Sequence, residues 1–141
     1  MKMKNIIIAL SLLFAVTTYA QNKNYADLPA RATQFLAEQF PKQTILSVKD
    51  TNGSRAKGFT VTLSNNTEIK FKSDGNWKEI DGNGKEISTV FVIQPIQDYV
   101  AKNYPNQKIS KIKYTVTNID IELTNDIDLD FDSNGKFIKI D

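Results

Sequence analysis

Residues 59–81 read FTVTLSNNTEIKFKSDGNWKEID, and residues 119–141 read IDIELTNDIDLDFDSNGKFIKID. Laid one over the other without gaps, the two stretches agree at 7 of 23 positions: Leu63/Leu123, Asn65/Asn125, Phe71/Phe131, Ser73/Ser133, Gly75/Gly135, Ile80/Ile140 and Asp81/Asp141. Most of the other apolar positions also pair with apolar ones. Upstream, residues 35–41 (FLAEQFP) answer residues 99–105 (YVAKNYP). A unit of roughly 50–60 residues written twice predicts two like units in tandem, and that decides the architecture before any other feature is weighed.

Inside each unit the apolar residues alternate with polar ones. Phe59, Val61 and Leu63 flank Thr60 and Thr62; Ile127, Leu129 and Phe131 flank Asp128 and Asp130. A period of two is the pattern of a strand with one face buried and the other in water. Strands are expected over 45–50, 58–64, 67–72 and 76–81, and again over 109–117, 119–124, 127–131 and 136–140. Asn-Gly, Asn-Asn and Asp-Gly turn signals separate them, as at Ser64-Asn65-Asn66, Ser73-Asp74-Gly75 and Ser133-Asn134-Gly135.

Ahead of the first meander Ala32, Phe35, Leu36 and Phe40 recur at three- and four-residue spacing, predicting a helix over 29–39. Pro29 suits its first turn and Pro41 stops it. Ile96, Tyr99, Val100 and Tyr104 repeat the stripe between Pro95 and Pro105. The sequence therefore predicts an α+β fold: helix plus four-stranded antiparallel meander, twice, giving one sheet of about eight strands with two helices on one face. The domain spans 28–141, with repeats at 28–81 and 93–141. Residues 82–92 join them, and 85–92 are extended as either a ninth strand or a connector.

The first twenty residues stand apart. Lys2 and Lys4 precede an eleven-residue apolar run over 6–16, followed by small residues at Thr18 and Ala20, the pattern of a cleaved signal peptide. The run is well short of the roughly 20 residues that span a bilayer. Residues 21–27 form a polar lead-in, and the location expected is periplasmic or secreted. With Lys2 and Lys4 removed, the 18 basic residues fall to 16 against 16 acidic ones. No net field remains to draw nucleic acid or an anionic membrane. Cys is absent, so the apolar core alone must hold an exported fold of this size.

Helix, aromatic-Pro stop and a meander ending in Phe-x-Ser-(Asp/Asn)-Gly-x-aromatic, twice over behind a signal peptide, resembles the PepSY-like, beta-lactamase-inhibitor-like family of exported bacterial proteins. The matching residues are Leu28-Pro29, Phe40-Pro41, Phe71 to Trp77, Tyr104-Pro105 and Phe131 to Phe137. The resemblance implies an extracytoplasmic domain that binds proteins or peptides, in some members inhibiting an enzyme through the open sheet face. It carries over no catalytic residue.

The residues themselves offer little chemistry. There is no His and no Cys, which excludes Ser–His–Asp and Cys–His catalysis and His/Cys zinc sites. An enzyme is not expected, nor a cofactor or a metal centre. Residues 130–135 (DFDSNG), with Asp141 twelfth in the series, approach a calcium loop but lack its bidentate Glu. The first unit keeps the Ser, the Gly and the final Asp while placing Lys70 and Lys72 at the ligand positions, so the shared residues build a turn. The units differ most in charge. Asp126, Asp128, Asp130 and Asp132 stand where the first unit carries Asn66, Glu68, Lys70 and Lys72. These acids, Lys70 and Lys72 are the candidate partner-binding residues, and Trp77 and Phe137 join them as candidate aromatic anchors. The expected function is an exported, non-enzymatic module that binds a protein or peptide through the open face. The competing expectation is a small-ligand or Ca²⁺-binding envelope protein that uses the Asp126–Asp132 run.

Overall fold

A computed structural model describes residues 28–51 and 57–141. The expected signal peptide (1–20) and lead-in (21–27) lie outside the described residues, as does part of the first hairpin loop. Along the chain come α1 (Ala30–Gln39), β1 (Ile45–Asp50), β2 (Gly58–Leu63), β3 (Glu68–Lys72) and β4 (Trp77–Asp81). A short 3₁₀ turn at Thr89–Phe91 follows, then α2 (Gln94–Asn103), β5 (Ile109–Tyr114), β6 (Asn118–Leu123), β7 (Asp128–Asp132) and β8 (Phe137–Ile140). The eight strands form one sheet in chain order, antiparallel throughout. The fold class is α+β, as the sequence predicts. The segment over 85–92 is a connector and not a ninth strand.

The register explains where the core sits. One row runs across all eight strands: Val48, Val61, Ile69, Ile80, Ile112, Ile121, Leu129 and Ile140. All but the edge residue Ile140 are buried. Both helices cover this face. Phe35 of α1 meets the Phe71 ring edge-on at 5.9 Å, and Tyr99 of α2 meets Phe131 at 5.3 Å. Leu36, Ile96 and Val100 fill the space between. Phe91 of the connector enters the same layer, stacking on Phe40 at 5.7 Å. Each fully buried side chain of this kind contributes roughly 1.5–3 kcal/mol.

The Gly of each Phe-x-Ser-x-Gly motif does two jobs. Gly75 and Gly135 have φ of 88° and 84°, the left-handed turn geometry that glycine adopts freely. A Cβ on Gly75 would lie 2.9 Å from the Cβ of Pro29, and one on Gly135 2.9 Å from that of Pro95. The glycine therefore lets each β-hairpin turn tuck beneath the start of its helix.

Strict alternation fails in four places. In β1, β4, β5 and β8 an extra residue is inserted, so that apolar residues three apart face the same way: Ile45 and Val48, Trp77 and Ile80, Ile109 and Ile112, Phe137 and Ile140. The inserted residues are Leu46, Lys78, Ser110 and Ile138. Each insertion is a β-bulge.

Candidate functional site

The face opposite the helices is uncovered and charged. One cross-strand row reads Lys49, Thr60, Lys70, Glu79, Lys113, Asp120, Asp130, Lys139; the next reads Ser47, Thr62, Glu68, Asp81, Lys111, Glu122, Asp128. Lys72 and Asp132 extend the same face at one end of the strands. Of the predicted binding residues, Lys70, Lys72, Asp128, Asp130 and Asp132 thus share one surface. Asp126 sits in the β6–β7 turn at φ 66°, as its counterpart Asn66 does at 67° in the β2–β3 turn.

Trp77 and Phe137 do not join them. The bulges at Lys78 and Ile138 rotate both rings to the helix side. Trp77 there packs against Phe35, Phe91 and Tyr114, and Phe137 stacks on Tyr99 at 4.7 Å. They pack beneath the helices, away from the open face.

Ion pairs reorganise the reading of the charges. Lys70 holds Glu79 at 3.1 Å, and Lys139 holds Asp130 at 3.7 Å. These are corresponding positions of the two units with the signs exchanged, so the contrast between Lys70 and Asp130 is a swapped pair rather than a lone charge. In both, the acid is the buried member: Glu79 is 4 % exposed and Asp130 6 %. Lys111 ties the middle of the face together, reaching Glu79 at 3.5 Å, Asp81 at 3.7 Å and Glu122 at 3.9 Å. Burial alone would lower the Lys111 pKa, but these three carboxylates outweigh it and raise it.

The acidic side is under strain of a different kind. Asp120 stands opposite Asp130, and Glu122 opposite Asp128. Burial, with Asp141 and Asp120 nearby, raises the Asp130 pKa against the pull of Lys139. Burial also raises that of Glu122; Asp128, Asp81 and Asp126 add to it while Lys111 opposes. Asp132 is spoken for locally, its Oδ1 accepting the backbone N–H groups of Asn134 and Lys136, each at 2.9 Å. Among the described residues no group of three or more His, Cys, Asp or Glu is arranged to hold a metal ion. The DFDSNG stretch is a hairpin turn with a capping carboxylate.

Two hollows divide the face. The larger, about 750 Å³, is lined by Thr60, Lys70, Lys72, Lys78, Glu79 and Lys113, with Tyr114 and Val116 at its wall. The smaller, about 230 Å³, is lined by Lys111, Lys113, Asp120, Glu122, Asp128 and Asp130. Lys113 borders both. Sequence reasoning missed Lys113 and Lys78: the first reaches the basic hollow only because β5 pairs with β4, the second only through its bulge.

A two-helix layer on an eight-stranded antiparallel sheet is found in known proteins. The family described as "Putative beta-lactamase-inhibitor-like, PepSY-like" matches residues 57–139, more than half of the chain. The chain belongs to that family.

Among solved structures, a protein from Bacteroides thetaiotaomicron described as a "putative calcium-regulated periplasmic protein" is 28% identical, with a TM-score of 0.77 over 82% of this chain and 91% of that one. A "putative periplasmic protein of unknown function" from Bacteroides vulgatus is 26% identical, with a TM-score of 0.76 over 84% and 95% of the two chains. A third, also from Bacteroides vulgatus and described as periplasmic, is 28% identical at a TM-score of 0.75, over 82% and 91%. Comparison with curated proteins finds no match. No helix among the described residues is long and apolar enough to cross a membrane. The protein is periplasmic or secreted, and these neighbours are described as periplasmic. Family and neighbours alike point to a module without catalytic machinery.

Proposed function

We propose that the protein is a non-enzymatic binding module that contacts a protein or peptide of the cell envelope through the open face of its sheet. The observation that carries this reading is the asymmetry of the two faces. One is sealed by helices, while the other exposes charged rows and a 750 Å³ hollow of the size that holds ligands. Complementary charge of this kind supplies steering and register to an association more than raw affinity.

The test is recovery of partners from cell-envelope extract by wild type, Asp128→Lys and Lys72→Glu/Lys113→Glu, both variants altering only exposed side chains. Loss or exchange of partners in either variant supports the open face. Identical partners for all three proteins would remove it. Because the family description includes beta-lactamase-inhibitor-like, a recovered enzyme is then assayed for inhibition by wild type against the same variants.

A second reading is favoured by the neighbour described as calcium-regulated: the Asp126–Asp132 run takes up Ca²⁺. Among the described residues, the carboxylates of Asp128 and Asp126 are those of that run with neither an ion pair nor a turn hydrogen bond, since Asp130 is held by Lys139 and Asp132 by its turn. A ligand that binds only the folded state must raise its melting midpoint. Melts with and without millimolar Ca²⁺, repeated on Asp126→Asn/Asp128→Asn, decide the matter, and an unchanged midpoint ends it.

A further inference from the structure

We propose that the basic hollow between β3, β4 and β5 receives an extended, glutamate- or aspartate-rich segment of the partner, with one apolar side chain seated against Val116. The proposal rests on the open-face reading and names the chemistry of what that face takes.

Four lysines line the hollow against one glutamate, a surplus of three positive charges in a protein whose mature charges balance. The glutamate is already committed, because Glu79 is buried and shared between Lys70 and Lys111. Lys72, Lys78 and Lys113 have no carboxylate within ion-pair distance among the described residues. Elsewhere on the face Lys111 and Lys139 are each satisfied by two or more acids. Lys72 also acts on Asp74 in the neighbouring turn, whose carboxyl is held below its usual range first by the Asn76 backbone N–H and only lastly by Lys72 and Arg31. That acid is already used by the turn it caps.

The apolar wall gives the second half of the recognition. Val116 is fully exposed. The Tyr114 ring turns the other way, standing edge-on to Trp77 at 5.3 Å on the helix side, so Val116 is the exposed apolar side chain at this end of the hollow. Dispersed lysines, with no Arg among the described lining residues, suit separate carboxylates along a strand better than a bidentate phosphate. The absence of a net field argues against a nucleic acid. Glu68 and Asp81, in the adjoining row, repel the same segment and so confine it to the hollow.

The test uses the mature chain and fluorescence anisotropy of a labelled glutamate-rich peptide carrying one central leucine, with glutamine and lysine counterparts. Only the glutamate peptide is expected to bind, more weakly as salt rises. Lys72→Glu/Lys113→Glu should weaken it at least about tenfold and Asp128→Lys should not weaken it. The neutral pair Lys72→Gln/Lys113→Gln, milder for the fold, should give an intermediate loss. Equal binding of the glutamine peptide, or retained affinity in both lysine pairs, overturns the proposal. So does a salt-sensitive dimer that excludes the peptide, which would assign the hollow to the acidic side of a second copy. If envelope partners respond to Asp128→Lys but not to the lysine pairs, this inference fails while the open-face reading stands.

Discussion

Single residues in this protein are explained by what their counterparts in the other unit do. Lys70–Glu79 and Asp130–Lys139 occupy matching places with their signs exchanged, and the buried partner is acidic in each case. What is retained is a pair with one buried carboxylate, not a charge at a given position. Lys139→Glu should therefore destabilise by placing a third acid beside Asp130 and Asp141. Adding Asp130→Lys should restore part of the loss, a coupling kept small because the lysine is exposed. Chemical denaturation of the four proteins of that cycle measures it, and simple additivity would show that the pair is incidental. The two turn glycines make a second case. Gly75→Ala and Gly135→Ala each combine a positive φ with a Cβ pressed on a proline. Each should cost about 1–3 kcal/mol, larger than a surface substitution and read as a lowered melting midpoint.

Elements show where the sequence was legible and where it was not. Eight strands and two helices could be placed because alternation, turn residues and proline stops agree along the chain. The bulges could not be placed by alternation, since Trp77 shares its parity with Glu79 and reads as an open-face residue until Lys78 is taken out of register. The signal was present in the three-residue spacing of Trp77 and Ile80, and again of Ile45/Val48, Ile109/Ile112 and Phe137/Ile140. Likewise Lys113 is anonymous until β5 is known to lie against β4. The 85–92 segment was ambiguous for want of any period, and its one large apolar residue turns out to decide its path. Phe91 packs on Phe35, Phe40 and Trp77; Phe91→Ala should cost about 3–5 kcal/mol in equilibrium unfolding. The β6–β7 hairpin sets acid against acid at Asp120/Asp130 and Glu122/Asp128. A carboxylate whose folded pKa is raised adds stability only below its ordinary pKa, and that stability is lost as pH rises through the raised value. Asp130 and Glu122 are raised, so the hairpin weakens from mild acid toward neutrality. Asp120→Asn should raise the melting midpoint at pH 7 by about 1–4 °C. The gain should vanish below about pH 4, where carboxylates take up their protons.

At the scale of the whole molecule, one apolar row from Val48 to Ile140 runs through both units without a break, crossing at the Ile80–Ile112 pair. The seam is narrow: β4 and β5 are in register over Glu79/Lys113, Ile80/Ile112 and Asp81/Lys111 only. The same seam places Lys113 beside Lys70 and Lys72, and it brings Lys111 to Glu79. Core and candidate site therefore depend on one junction. Cutting there would expose Ile80 and Ile112, both fully buried, as apolar edge strands, and edges of that kind are not stable in water. Each half, near 57 residues, would also bury only about 60% of its unfolded surface. Residues 28–84 and 85–141 produced separately should each lack a cooperative thermal transition. Ile112→Ala in the intact chain should cost about 2–5 kcal/mol and weaken partner capture along with stability, whereas Leu129→Ala, equally buried but two strands away, should lower stability with capture retained below the melting range. A cooperative melt from either half would show that the units fold independently and that the site is assembled by docking.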